Sequence, residues 1–189
     1  MKGLILSIVG LMFLNVGFAQ HDGHALTHAK LAHEASHRIG KLVDTGKLDE
    51  IFVLHMSSLE VTPLDHTDHN GPAFRITAAA GSGANKVELA FNMSGKYLSH
   101  KIVGRGDDEV SPWTSSPGSE IIESALHFTM EAAGMDSFTK DLKKVSLSQK
   151  TSESGVIQAV VKLSSSSTAK ILEIDLDMNG KVLGHSIVE

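Results

Sequence analysis

Cysteine is absent from this 189-residue chain, and aromatic residues make up only 5% of it. The lack of cysteine excludes disulfide bonds, thiolate nucleophiles, cysteine-type zinc sites and iron–sulfur clusters. Hydrophobic residues at 41% and charged residues at 21% are typical of a globular chain that buries a core. The net charge of −5 is opposite in sign to that of basic nucleic-acid binders, so we expect no nucleic-acid partner.

The N-terminus has the features of an export signal. A lysine follows the initiator methionine, and an apolar run then extends from Leu4 to Leu14. Small residues at Gly17 and Ala19 mark a cleavage site before Gln20. The run is shorter than the roughly 18 apolar residues that a membrane-spanning helix needs. We therefore predict a signal peptide at residues 1–19 and a periplasmic or secreted mature protein with no stable membrane insertion.

Two segments of the chain, 85 residues apart, are closely similar. Met93–Val103 and Met178–Val188 are identical at seven of eleven positions. In both, alternating apolar residues lead into a glycine-containing turn, which predicts a pair of strands joined by two residues, Ser94-Gly95 or Asn179-Gly180. The chain is therefore predicted to contain an internal repeat.

A helical pattern precedes each predicted hairpin. In the first repeat Leu31, Ala35, Ile39 and Leu42 fall on one helix face, and Gly46 is a stop signal. In the second repeat we predict Ser119 as the N-cap, an apolar stripe from Ile122 to Ala133, and an end at Gly134. The predicted strands between helix and hairpin are Ile51–Val61 and then Ala73–Ala80, with Val156–Leu163 as the counterpart of the latter.

These patterns predict an α+β fold of two tandem repeats, each with one helix packed on a small antiparallel sheet. A His-rich arm at residues 20–27 precedes the first repeat, residues 28–104. A linker at residues 105–118 leads to the second repeat, residues 119–189. The helices and first strands match at an offset of 91 but the hairpins match at 85, so six extra residues are expected in the first repeat. The candidate insertion is residues 65–70, Asp-His-Thr-Asp-His-Asn.

The repeated hairpin, with Glu173-Ile-Asp-Leu-Asp-Met-Asn-Gly-Lys-Val-Leu as its second copy, resembles the C-terminal hairpin of PepSY-type domains. These are small cystatin-like α+β modules of bacterial envelopes. The first repeat is also similar to uncharacterised exported bacterial proteins with a His-rich mature N-terminus and a Gly-Lys-Leu-Asp segment, as at Gly46–Asp49. The PepSY-like resemblance implies a non-catalytic binding or inhibitory module, and the other resemblance implies no known activity.

Histidine is the unusual residue here, and eight of the eleven histidines precede residue 70. His33 and His37 are spaced i, i+4 on the predicted first helix, on the side opposite its apolar stripe, which is expected to face water. Such a pair can chelate Zn²⁺, Cu²⁺ or Ni²⁺ through two neutral nitrogens. The alternative is a polar, solvated segment whose histidines bind nothing.

Further candidate ligands flank this pair. His24 and His28 form a second i, i+4 pair, His21 lies in the arm, and the predicted insertion adds carboxylate and imidazole groups. The alternative for the insertion is an elongated hairpin loop, because polar insertions are tolerated at loop tips. The complete set of candidate metal ligands is His21, His24, His28, His33, His37, His66, Asp68 and His69.

The remaining histidines and the methionines are expected to be structural. The predicted turns place His100 opposite Leu89 and His185 opposite Ile174, so both should belong to the packing of the repeat. His127 is expected on the surface of the second helix. Met93 and Met178 fit the inward alternation of their strands and are expected to fill the core.

No motif of catalysis is present, neither a nucleophile elbow, nor HExxH, nor a phosphate-binding glycine loop. Our first hypothesis is therefore an exported, non-enzymatic protein that binds zinc, copper or nickel through N-terminal histidines and uses no organic cofactor. The second is an interaction or inhibitor module for another envelope protein, as the PepSY-like resemblance implies. A small-ligand cleft between the repeats is a weaker third hypothesis because aromatic residues are scarce.

Overall fold

A computed structural model describes residues 26–65, 70–106, 117–152 and 155–189 of the protein. The predicted signal peptide, the arm up to residue 25 and linker residues 107–116 lie outside these ranges. The described residues form two sets of elements in the same order, two helices followed by four strands. The N-terminal half comprises α1 (His28–Asp44), α2 (Ile51–Leu54), β1 (Met56–Pro63), β2 (Phe74–Ala80), β3 (Asn85–Phe91) and β4 (Tyr97–Gly104). The C-terminal half comprises α3 (Gly118–Glu131), α4 (Asp136–Lys140), β5 (Leu142–Thr151), β6 (Ile157–Ser165), β7 (Ile171–Leu176) and β8 (Val182–Val188).

All eight strands belong to one antiparallel sheet with the order β4-β3-β2-β1-β5-β6-β7-β8. Each half is a meander of consecutive strands, and the two meanders meet where β1 pairs with β5. The helices pack on the sheet, and α1 also packs against α3. The α+β class predicted from the sequence is confirmed.

The β1–β5 pair has a register that is symmetric between the two halves. Leu59 lies opposite Val145, Ser58 opposite Ser146, and Glu60 opposite Lys144. Leu59 and Val145 also hold equivalent places, because each is the buried residue three positions after the first residue of its strand. An antiparallel pair centred on two equivalent residues is the arrangement that a local two-fold axis produces.

The core lies between the helices and one face of the sheet. Each strand from β1 to β3 and from β5 to β7 buries alternate residues on that face, such as Leu59, Ile76 and Leu89. Helix α1 contributes small residues, Ala29, Ala32 and Ala35, which are fully buried. Their short side chains allow α1 to lie close to its neighbours in the core.

The predicted first strand starts too early. Ile51–Leu54 forms the short helix α2, and the strand begins at Met56. The Asp49 carboxylate accepts a hydrogen bond from the backbone N–H of Ile51 at 2.9 Å, and this local turn prevails over the strand preference of the apolar run. The turn also brings Phe52 into the core. Helix α4 was not predicted either, and its Phe138 is buried as Phe52 of α2 is.

The predicted two-residue turns are wrong. Asn92 and Lys96 close a three-residue turn, Met93–Gly95, and Asp177 and Lys181 close the equivalent turn. The side chains of Asn92 and Asp177 each accept two backbone N–H groups within the turn, which favours the longer connection. Met93 is consequently 49% exposed at the turn and does not fill the core. A register shift after the turn still leaves His100 opposite Leu89 and His185 opposite Ile174, as predicted.

The six-residue insertion predicted at residues 65–70 is also wrong. Ten residues separate the paired residues Pro63 and Phe74 in the N-terminal half. Nine separate Gln149 and Ala159, which hold the matching positions in the C-terminal half. The connection between the first two strands is therefore longer by a single residue.

The main length difference lies between the first helix and the first strand of each half. The buried helix positions recur at a spacing of 90, since Ser119 lies 90 residues after Ala29 and Thr129 lies 90 residues after Ile39. Val145, in contrast, lies 86 residues after Leu59. Helix α1 has 17 residues and α3 has 14, and this accounts for most of the difference.

The predicted helix ends are partly correct. Gly46 ends α1 in a left-handed conformation (φ 67°), with its N–H bonded to the Val43 carbonyl. Ser119 is not an N-cap, because α3 starts at Gly118 behind Pro117 and Ser119 is buried in its first turn.

The start of α3 lies so close to β1 that only glycine fits there. A Cβ atom on Gly118 would lie 2.4 Å from the carbonyl oxygen of Met56. We expect Gly118→Ala to lower the free energy of unfolding by about 1–3 kcal/mol, because helix and strand must separate. The measurement is urea denaturation in metal-free buffer.

Gly40→Ala is the matched control, because a Cβ on this α1 glycine meets nothing within 4 Å. It should raise stability by about 0.5–1 kcal/mol through helix propensity. Equal changes in the free energy of unfolding of the two variants would contradict the close approach of α3 to β1 at Gly118.

Candidate metal site between the two long helices

The candidate site lies where α1 and α3 run side by side. His33 and His37 are one helical turn apart on α1, as the sequence predicts. The expectation that this side of α1 faces water is correct only in part, because α3 packs beside it and Glu123 lies close to both imidazoles. The site therefore draws its ligands from both halves of the chain.

The three side chains are close enough to share one ion. One ligand atom from each of His33, His37 and Glu123 lies within 4.8 Å of the others. The distance from His37 Nε2 to Glu123 Oε2 is 3.8 Å, and the His33 and His37 ring centroids are 4.6 Å apart. Ligands about 2.1 Å from a tetrahedral ion lie about 3.4 Å from one another. The 3.8 Å between His37 Nε2 and Glu123 Oε2 is already close to that separation.

The site is partly shielded from water. The His37 side chain is 50% exposed and that of Glu123 is 26% exposed. Burial lowers the pKa of His33 below its usual value of 6.5, and the neighbouring His37 imidazole lowers it further, while Glu123 raises it. A lowered pKa keeps the His33 imidazole neutral at pH 7, and a neutral imidazole is the form that binds metal ions.

An open groove continues from His33 along α3. It has a volume of about 440 Å³. Its lining comprises His33, Glu123, Ser124, His127, Phe128, Glu131 and Val182. The groove gives solvent, and hence a metal ion, access to His33 and Glu123.

His28, another predicted ligand, has a different role in the structure. Its Nδ1–H donates a hydrogen bond to the carbonyl oxygen of Leu142 at 3.1 Å, and its ring packs edge-on against Phe74. His28 thus connects the start of α1 to the start of β5, and it does not join the cluster of His33, His37 and Glu123. The other predicted ligands, His21, His24, His66, Asp68 and His69, lie outside the described residues.

The remaining described histidines occupy separate places. His100 shares a 2.7 Å hydrogen bond with the Tyr97 hydroxyl at the β4 edge, and the exposed His185 lies against the Phe128 ring, centroids 5.1 Å apart. His55 follows α2, and its buried Nδ1 has no hydrogen-bond partner among the described residues.

Glu123 is the site residue that sequence reasoning missed. The sequence feature that could have indicated it is a regular spacing on α3, where Glu123, His127 and Glu131 follow one another at intervals of four residues. This spacing places all three side chains on one face of a helix. Its relevance becomes visible only once α3 is known to lie beside α1.

No protein-family model, curated protein or solved structure matches this chain. Within the described ranges, none of the helices has both the length and the apolar character needed to cross a membrane.

The role of His28 can be tested separately from metal binding. We expect His28→Ala to lower the free energy of unfolding by about 0.5–1.5 kcal/mol, because the Leu142 carbonyl loses a donor. The zinc affinity of this variant should equal that of the wild type. Lys30→Ala, on the same turn of α1 and exposed, is the control for a loss of side chain without loss of this contact. Weaker zinc binding in His28→Ala would instead place His28 among the ligands.

Proposed function

We propose that the protein is an exported, non-enzymatic protein that binds a transition-metal ion at His33, His37 and Glu123. The observation that carries this proposal is the convergence of three ligand atoms from two helices within 4.8 Å of one another. Two imidazole nitrogens and one carboxylate oxygen form a donor set suited to zinc, copper or nickel.

The electrostatics of the cluster favour a cation. The carboxylate of Glu123 faces two imidazoles, so a divalent ion would meet one negative charge and two neutral donors. Burial of His33 further disfavours protonation of its ring. The groove beside the cluster leaves room for water, or for a further protein ligand, to complete the coordination.

We also propose that the two halves are tandem cystatin-like or PepSY-like repeats. The identical order of elements, the similar hairpins and the symmetric β1–β5 register support this relationship. The proposed location is the periplasm or the outside of the cell, on the basis of the signal-peptide pattern at residues 1–19.

The alternative function, an interaction or inhibitor module for an envelope protein, makes a different prediction. Binding to a protein partner would then persist in the presence of a chelator and after replacement of His33 and His37. Metal binding is preferred here because the described residues contain an assembled set of metal ligands.

Metal binding is tested by calorimetric titration of the mature chain, residues 20–189, at neutral pH. We expect one Zn²⁺, Cu²⁺ or Ni²⁺ per chain, with a Kd below about 10 μM for at least one of these ions. His33→Ala, His37→Ala and Glu123→Gln should each weaken binding at least tenfold, because each removes one ligand.

Two variants serve as matched controls for these ligands. Glu120→Gln replaces an exposed carboxylate on the same helix as Glu123, and His100→Ala removes a histidine at the edge of the sheet. Neither should change the affinity. Wild-type binding weaker than about 10 μM for all three ions, or binding that is insensitive to the three ligand substitutions, would refute the proposed site.

Metal binding should also stabilise the fold, because the ion bridges helices from both halves. A ligand that binds only the folded state at 100 times its Kd adds about 2.7 kcal/mol to the free energy of unfolding. We therefore expect zinc to raise the Tm of the wild type, EDTA to reverse the rise, and His37→Ala to reduce it by about half or more at the same zinc concentration. A zinc-dependent rise of the same size in His37→Ala would show that the stabilising ion binds elsewhere.

A further inference from the structure

The two long helices carry metal-ligand residue types at equivalent positions. The buried residues of α1 recur on α3 at a spacing of 90 residues. The same spacing relates His33 to Glu123 and His37 to His127. Each helix therefore contributes one i, i+4 pair from the same two positions.

The arrangement of the halves brings these two pairs together. The β1–β5 register is symmetric about Leu59 and Val145, so a contact between α1 and α3 has a symmetry-related counterpart. The contact in question joins His37 of α1 to Glu123 of α3. That counterpart is between His33 and His127. Both of these histidines line the groove beside the cluster, and His127 acts electrostatically on His33.

We propose that His127 is the fourth ligand of the metal ion, which then has three imidazoles and one carboxylate around it. This inference rests on the proposed function and specifies its coordination. Four protein ligands of this kind match the tetrahedral geometry that Zn²⁺ prefers, with two ligands from each half of the chain.

A carboxylate lies beside the His127 ring. Nδ1 of His127 lies 3.3 Å from Oε2 of Glu131, one turn further along α3. An imidazole whose Nδ1–H is held by a carboxylate presents Nε2 as a metal ligand, and such outer carboxylates strengthen binding. Because the Glu131 side chain is 69% exposed and can follow the ring as it turns, we assign it as a positioning residue for His127 in the metal-bound form.

His127 must turn towards the cluster to bind the ion. Its side chain is 61% exposed and lies outside the group of His33, His37 and Glu123 in the structure. An exposed side chain moves between staggered rotamers at small cost. Binding of the ion through His127 therefore requires a change of its side-chain rotamer.

The test measures the coordination directly. Co²⁺ replaces Zn²⁺ in the mature chain, and the visible absorption reports a four-coordinate tetrahedral site, while X-ray absorption of the zinc form counts its nitrogen and oxygen ligands. We expect an intense tetrahedral cobalt spectrum in the wild type. His127→Ala should weaken zinc binding at least tenfold and change that spectrum, and Glu131→Gln should weaken binding about tenfold.

His100→Ala and Glu120→Gln are the controls, and both should keep the wild-type spectrum and affinity. Thermal melts in EDTA establish that His127→Ala, a change at an exposed helix position, retains the fold. Unchanged zinc affinity and an unchanged cobalt spectrum in His127→Ala, combined with loss of binding in His33→Ala, would overturn the fourth ligand and leave the proposed function standing. Absence of metal binding in the wild type would overturn both.

Discussion

The pairing of β1 with β5 is the interaction on which the rest of the structure depends. It joins two four-stranded meanders into one sheet and covers the inner edge of each. Because the register is centred on the equivalent residues Leu59 and Val145, each half presents its helices to the same face of the sheet. Helices α1 and α3 consequently lie side by side, with the small residues Ala32 and Ala35 of α1 buried. The cluster of His33, His37 and Glu123 exists only because of this arrangement.

Elements whose geometry is set within a few residues were predicted well. The left-handed glycine that ends α1, the alternation of β3 and the position of His100 opposite Leu89 all follow from local patterns. The prediction errors occur where a side-chain hydrogen bond in a turn competes with the secondary-structure propensity of the neighbouring residues. The carboxylate of Asp49 makes a helix of an apolar run that otherwise favours a strand, and the Asn92 amide lengthens a turn. The misplaced insertion has another cause, because apolar spacing alone does not show that α1 is longer than α3.

The same distinction applies to the candidate site. One part of it follows from the local sequence, and the other part follows only from the packing of distant segments. The His33–His37 pair is a property of helix periodicity and is visible in the sequence. Glu123 joins it from a position 86 residues after His37, through the packing of α1 on α3. No periodicity links these residues, and the sequence does not specify how one half packs on the other. For the same reason, the sequence pattern predicts that this side of α1 faces water.

The strand order also determines the course of folding. Every strand pair except β1–β5 joins neighbours in sequence, so each meander can form through contacts between residues close along the chain. The β1–β5 pair alone links strands that are far apart, since Val145 lies 86 residues after Leu59. Closing a long loop costs more conformational entropy than closing a hairpin, and distant contacts slow folding. We therefore expect the joining of the two meanders to be a late, slow event of folding, and the groove between the long helices to form with it.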